Sequence, residues 1–260
     1  MGNIINKNIN DEIQLIIYDL NITEYSLFSL TNIILMILNM KSQNSIFCLQ
    51  GINDKQFFTE LTNQLNNIYD YKNLIYDDKS GLIITSNYEI LDTRIIKYNS
   101  DYNGLLYVNL NVNNSLFSLY NVFLNNIDLL DNLINSIESN ISYISQNIIN
   151  ITKTNIHIVV GKIYGDIENI NENKLLNNMK LDNKQIQIID ILKLLNLTET
   201  NNNYILLYFT KKNKLFDLKK ENIYTSLLKQ NNIKIINCEL ISNLSSLDYY
   251  PIKLTFSLTN

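Results

Sequence analysis

A single histidine, His157, leaves this 260-residue chain with one side chain that titrates near neutral pH unaided. It directly precedes the apolar run Ile158-Val159-Val160, which points it off a strand, and we read it as a structural or surface residue rather than a general base. The other groups able to do chemistry are Asp19 and Asp248, each beside a tyrosine, together with Glu89, Lys162, Tyr164 and Tyr249. Asp19, Asp248 and Glu89 in one pocket would give a hard cation its oxygen ligands. Tyr164 and Tyr249 side by side would offer nucleobases a surface to stack on. The structural reading, which we adopt, makes Asp19, Asp248 and Lys162 an ion-paired cluster filling a cleft, with the two tyrosines plugging it. Asp77-Asp78 and the pair Asp128 and Asp131 lack the spacing of a calcium loop.

These residues must be placed by alternating elements. Ile13–Asp19 is a β-rich run, Ser26–Met40 has apolar residues at helical spacing, Ser45–Leu49 is a short buried strand, and Asp54 caps a helix carrying Phe57, Phe58, Leu61, Leu65 and Ile68. Residues 72–123 change to short extended runs broken at Asp77-Asp78, Ser86-Asn87 and Asn103-Gly104, the pattern of antiparallel strands and hairpins. Ile127, Leu130, Ile134, Ile137, Ile141, Ile144 and Ile148 predict a helix over Asn126–Asn150, laid on a sheet. Ile156–Val160, Tyr204–Phe209, Ile233–Leu240 and Ile252–Phe256 predict further strands, Gly165–Asn183 a polar loop, and Ile186–Leu195 a short helix. With one Pro, six Gly and no linker or repeat, a single domain over residues 1–260 is expected. Its fold class is α/β: a four-layer sandwich of two packed mixed β-sheets flanked by helices.

Segments in the same order resemble the landmark motifs of the endonuclease/exonuclease/phosphatase superfamily. Ile17-Tyr18-Asp19-Leu20 is similar to its first-strand motif, with Asp19 in place of a metal-site Asn. Phe47-Cys48-Leu49-Gln50-Gly51 resembles its Leu-Gln-Glu segment, with Gly51 for the metal-holding Glu. Gly81-Leu82-Ile83-Ile84-Thr85-Ser86-Asn87-Tyr88-Glu89-Ile90 matches a structural hairpin. In Tyr120-Asn121-Val122-Phe123-Leu124, Phe123 takes the place of a His that the family uses in catalysis. In Val160-Gly161-Lys162-Ile163-Tyr164, Lys162 replaces a nucleophile-orienting Asp and Tyr164 a phosphate-contacting Asn. Asn203 precedes Tyr204-Ile205 where an Asp is usual, and Leu247-Asp248-Tyr249-Tyr250-Pro251-Ile252 keeps Asp248 but has Tyr249 for the second His.

The resemblance therefore implies the scaffold of a phosphoesterase without its chemistry. Metal-assisted hydrolysis needs a held cation, an oriented water and a donor for the developing phosphorane charge. Gly51 offers no oxygen ligand, Phe123 no donor, and Tyr249 is a poor base at neutral pH. Loss of one such group commonly costs a factor of about 10² to 10⁴, so their joint loss is expected to abolish turnover. The expected protein is a non-catalytic structural or protein-interaction component with no metal or cofactor; a metal-dependent nuclease with a rearranged site and a nucleic-acid-binding module are the alternatives.

Composition sharpens this. A formal charge of −4, a pI of about 5.1 and Arg94 as the only Arg disfavour tight phosphate-backbone binding. No apolar run approaches the roughly 20 residues of a membrane-spanning helix. Met1-Gly2-Asn3-Ile4-Ile5-Asn6 has the Gly of a myristoylation signal but Asn6 where Ser or Thr is preferred, and no secretory leader is evident. Cys48 and Cys238 read as buried thiols of a reducing, intracellular compartment. The chain has no Ala and is rich in Ile, Asn, Leu, Tyr and Lys, an AT-biased usage that suits a large DNA virus, which makes a virion or assembly protein the expected context and other viral proteins, or copies of itself, the expected partners. The same bias accounts for its many Asn-x-Ser/Thr triplets without glycosylation.

Overall fold

The computed structural model describes residues 12–69, 74–98, 103–112, 115–124, 132, 135–136, 139, 155–164, 180–181, 184–189, 221–223, 225–228, 233–241 and 251–258. The chain opens with β1 (Glu12–Ile22), α1 (Leu27–Met40), β2 (Ser45–Ile52) and α2 (Lys55–Ile68). Both helices begin where the sequence supplies a cap: Ser26 Oγ accepts the Ser29 N–H at 3.3 Å, and Asp54 Oδ1 accepts the Phe57 N–H at 2.6 Å. In α2, Phe57, Phe58, Leu61 and Leu65 return to one face every three or four residues, and that face is buried. Lys41, just past α1, donates to the Ile68 carbonyl at 2.7 Å and stands over the Tyr69 ring, tying the ends of the two helices together.

Next come β3 (Leu74–Asp77), β4 (Leu82–Ser86), β5 (Glu89–Lys97), β6 (Gly104–Val112) and β7 (Ser115–Leu124), then β8 (Asn155–Tyr164); β3–β4, β5–β6 and β6–β7 are hairpins, whereas the two strands of the expected Gly81–Ile90 hairpin, β4 and β5, enter different sheets and the chain crosses between them there. The later strands are β9 (Lys180–Leu181), β10 (Lys184–Ile189), β11 (Glu221–Ile223), β12 (Thr225–Leu228), β13 (Ile233–Leu240) and β14 (Ile252–Leu258). They form two sheets. The first has six strands in the order β13-β14-β1-β2-β4-β3, and the second eight in the order β5-β6-β7-β8-β12-β10-β9, with β11 also on β8. Each sheet is mixed, because β1 with β2 and β7 with β8 are parallel and every other pair is antiparallel.

The two sheets face each other across a continuous apolar core, marked by the stacked rings of Phe117 and Phe256, 5.8 Å apart. β1 and β2 are buried on both faces, which is why they read as unbroken apolar runs: one face meets the other sheet and the opposite face meets the helices. On the far side of the second sheet Leu105, Tyr107, Leu116 and Tyr120 are also buried, so that face has a covering layer. Asn132, Asn135, Ser136 and Ser139 of the predicted 126–150 helix are helical, and Tyr98 Oη donates to Ser136 Oγ at 2.9 Å across that face. The rest of that helix lies outside the described residues. The expected four-layer α/β sandwich of two packed mixed sheets is the observed architecture.

Two local expectations are corrected. Ile186–Leu195 does not begin as a helix: Ile186–Ile189 pair antiparallel with β12, and Lys180–Leu181, inside the predicted loop, pair with β10. Four residues, Ile186-Gln187-Ile188-Ile189, are too few for a period that separates helix from strand, and the distant partner strand decides. The segment Tyr204–Phe209 lies outside the described residues. At the sheet edges charge takes over from apolar pattern: Lys97 of β5 sits 3.4 Å from the buried Asp77 Oδ1, and Ser80 Oγ donates to Asp77 Oδ2. Asp77 therefore belongs to a turn and an ion pair.

Cys48 is a free thiol at the centre of β2, and burial pushes its pKa well above the ordinary range. A water-soluble alkylating reagent at about pH 8 is expected to leave Cys48 unmodified in the native protein and to reach it only on unfolding. Peptide mapping checks this; prompt native labelling at Cys48 would contradict the packing.

Candidate functional site

Of the sequence-selected positions, Asp19, Gly51, Phe123, Lys162 and Tyr164 lie toward the carboxyl ends of β1, β2, β7 and β8. Asp19 of β1 is paired with Gln50 of β2, one residue before Gly51, and Phe123 of β7 is paired with Lys162 of β8. The two strand pairs belong to facing sheets, and Asn121 bridges them. Its Nδ2 donates to the carbonyl of Leu49 at 3.0 Å and to that of Ile83 at 3.2 Å, two residues that are themselves partners across β2 and β4. One buried amide thus bonds a pair of strands in the opposite sheet.

Asp19 is fully buried, and its Oδ1 accepts the Asn21 N–H at 3.1 Å. This i to i+2 bond is an Asx turn, and Asn21 completes it with φ of 46°, a left-handed conformation that Asn tolerates. The turn shifts the register of β1 on β2 between Asp19 and Ile22. Gly51 lies opposite this bulge with φ of 73°. A Cβ there would overlap Asp19 Oδ1 and stand 3.2 Å from Asp19 Cγ and 3.1 Å from the Asn21 nitrogen. The Asp19 carboxylate thus occupies the space through which any side chain at position 51 would have to leave the backbone. A metal-holding glutamate does not fit beside it.

The other positions are placed as follows. Phe123 is 3% exposed and packed into the core, an apolar ring with neither donor nor acceptor. Lys162 and Tyr164 are placed by backbone on β8, opposite Ile223 and Glu221 of β11. Gly161, beside Lys162, has φ of 143°, and a Cβ there would come within 2.7 Å of the Val122 nitrogen and carbonyl carbon, so close strand packing fixes this glycine. Glu89 is solvent-exposed on the edge strand, where Oε2 accepts from Asn111 Nδ2 at 3.2 Å, in an environment unlike that of buried Asp19. Asn203, Asp248 and Tyr249 lie outside the described residues, and His157 is placed on β8 by its backbone alone. Among the described residues no three His, Cys, Asp or Glu side chains are grouped to hold a metal ion.

Sequence reasoning treated Gln50 and Asn121 only as flanks of the motif positions. Gln50 is fully buried between Leu49 and Gly51, and among the described residues neither its Nε2 nor its Oε1 meets a hydrogen-bond partner. Polar residues inside apolar strand runs were the available signal for both. Because an unpaired buried amide is unfavourable, Gln50→Met is expected to raise unfolding free energy by about 1 kcal/mol. Urea denaturation measures it; a loss of stability would mean that the amide has a partner essential to the fold.

Comparison with known proteins gives a structural answer only. No protein-family model and no curated protein sequence matches the chain. Among solved structures, a humanized D. rerio TDP2 carrying 14 mutations superposes with a TM-score of 0.59 at 13% identity, covering 95% of this chain and 99% of that one. An endonuclease/exonuclease/phosphatase family protein from Leptotrichia buccalis gives 0.53 at 12% identity, covering 94% and 99%. Sphingomyelinase C from Streptomyces griseocarneus gives 0.56 at 11% identity, covering 96% and 99%. The chain has the endonuclease/exonuclease/phosphatase fold. The likeness runs almost end to end of both chains in each case.

Proposed function

We propose that this protein is a catalytically inert form of the endonuclease/exonuclease/phosphatase fold, retained as a structural or protein-interaction component. The observation that carries this is the Asp19 carboxylate lying in the space a side chain at position 51 would need, with Gly51 in a left-handed conformation. One oxygen of that carboxylate, Asp19 Oδ1, is engaged by the Asn21 N–H rather than by a cation. Phe123 removes a hydrogen-bond donor from the same end of the sandwich. Evolution of a surface does not need those groups, but it does need the complete core that the two sheets provide. The AT-biased composition supports reading it as a virion or assembly component of a large DNA virus, in a reducing intracellular setting that a free, buried Cys48 would suit. No helix among the described residues is long and apolar enough to cross a membrane.

The test is turnover. Purified full-length protein with magnesium or manganese is expected to leave single-stranded and duplex DNA, RNA, phosphoinositides and sphingomyelin intact under conditions where an active enzyme of this fold degrades its own substrate. Single-stranded DNA and sphingomyelin enter because one solved TDP2 neighbour is complexed with a single-strand DNA product and another neighbour is a sphingomyelinase. Metal-dependent hydrolysis that disappears in Asp248→Ala would replace the inert reading with a rearranged active site. Oligonucleotide binding at physiological salt without turnover would favour a nucleic-acid-binding module instead.

A further inference from the structure

α1 is apolar on both sides, although only one side is needed by the core. Leu30, Ile33, Met36 and Ile37 are buried against the sandwich, while Phe28, Leu35 and Leu38 are 69%, 51% and 48% exposed. With the exposed Thr31 they occupy positions 28, 31, 35 and 38, whose steps of three, four and three are those of a and d residues in a heptad seam. Thr31 Oγ1 donates to the Leu27 carbonyl at 2.9 Å, so its hydroxyl is satisfied within the helix and does not interrupt the seam. Leu27, 65% exposed, widens the stripe at its start.

We infer that this seam is a self-association surface, on which two copies of the chain pack α1 against α1 about a two-fold axis. Three features select a second copy as the occupant. The seam has the periodicity by which one helix packs along another. None of the 14 residues of α1 is charged, so two identical faces meet without like-charge repulsion, while the basic residues with which surface helices grip anionic lipid are missing. Its exposed apolar residues present on the order of 400 Å² per copy, about half of the roughly 800 Å² that each partner contributes to a standard interface and enough for its apolar centre. This deepens the interaction role proposed above and rests on it for its purpose, but the two fail separately. A monomeric protein would remove the seam as an interface without supplying a hydrolytic site, and observed turnover would remove the inert reading without dissolving a dimer.

Sedimentation and light scattering of the full chain over a concentration series are expected to show a dimer that dissociates on dilution. Phe28→Glu/Leu35→Glu should be monomeric throughout, and the milder Phe28→Ser/Leu35→Ser should weaken dimerisation at least about 30-fold. Circular dichroism and melting check that both variants keep the fold; should the glutamate pair unfold, the serine pair carries the test. A monomeric wild type at all concentrations overturns the proposal, and so does a dimer indifferent to both substitutions in folded protein. A monomeric wild type that floats with phosphatidylcholine vesicles, while the serine pair does not, overturns it in favour of a lipid-facing helix.

Discussion

Gly51→Glu, the substitution that formally returns the metal-holding carboxylate, is expected to destabilise the protein by about 4 kcal/mol or more and to create no hydrolase. Two effects add. A non-glycine residue held at φ of 73° costs about 1–3 kcal/mol in backbone strain, and its Cβ overlaps Asp19 Oδ1, so that carboxylate must leave its turn-capping position. The incoming carboxylate then lies beside a buried one, which raises the cost further. Separating these contributions requires the smaller Gly51→Ala, expected to cost about 2–4 kcal/mol in the wild-type background. With Asp19→Ala the steric part is relieved and the backbone part stays, so the cycle should show a coupling of at least about 1 kcal/mol. Denaturant unfolding of the four proteins measures it. Additive effects would show that Asp19 does not fill the space at position 51, and a stable Gly51→Glu protein with magnesium-dependent turnover would end the inert reading altogether.

The second large effect is expected at Asn121. Asn121→Asp keeps the shape but removes both N–H donations and sets a carboxylate against the Leu49 and Ile83 carbonyl oxygens, so at neutral pH it should cost about 3–5 kcal/mol. The pH dependence gives the mechanism away. Burial and the facing carbonyls disfavour the charged form, so the new carboxyl is held above its unfolded-state pKa. A group raised in this way contributes its stability below the unfolded pKa and loses it as pH rises through the folded one. The deficit relative to wild type should therefore shrink on acidification, as the protonated carboxyl recovers one donor, and be full at neutral pH. Parallel urea titrations of the two proteins between acid and neutral pH test this; a deficit independent of pH would mean that the amide hydrogen bonds are not what joins the sheets there.

Much of the scaffold was determined by local sequence. Asp54 followed by Phe57, Phe58, Leu61 and Leu65 contains both the start and the buried face of α2, since capping and a 3.6-residue period act within a few turns. The runs Leu74–Ser86, Glu89–Val112 and Gly104–Leu124 contain the hairpins β3–β4, β5–β6 and β6–β7 for the same reason: alternation and turn residues are short-range properties, and the observed partners are sequence neighbours; Gly81–Ile90 reads locally as a hairpin too, but its two strands go to different sheets. The order of motif-like segments pointed to the fold, and Gly51 and Phe123 by themselves excluded an oxygen ligand and a donor at their positions. Tertiary structure alone decided the rest. Ile186–Ile189 became a strand because β12, far along the chain, supplied a hydrogen-bonding edge that no local period encodes. Asp19 looked like a candidate ligand, and its carboxylate became a turn cap only because the β1–β2 register puts a left-handed glycine beside it. Asn121 looked like a flank and became the polar bond between two sheets because the facing sheet presents two carbonyl oxygens there. Each of these outcomes depends on which groups a distant strand brings within about 3 Å, the reach of a hydrogen bond, and that distance is set only when the sheets close on each other.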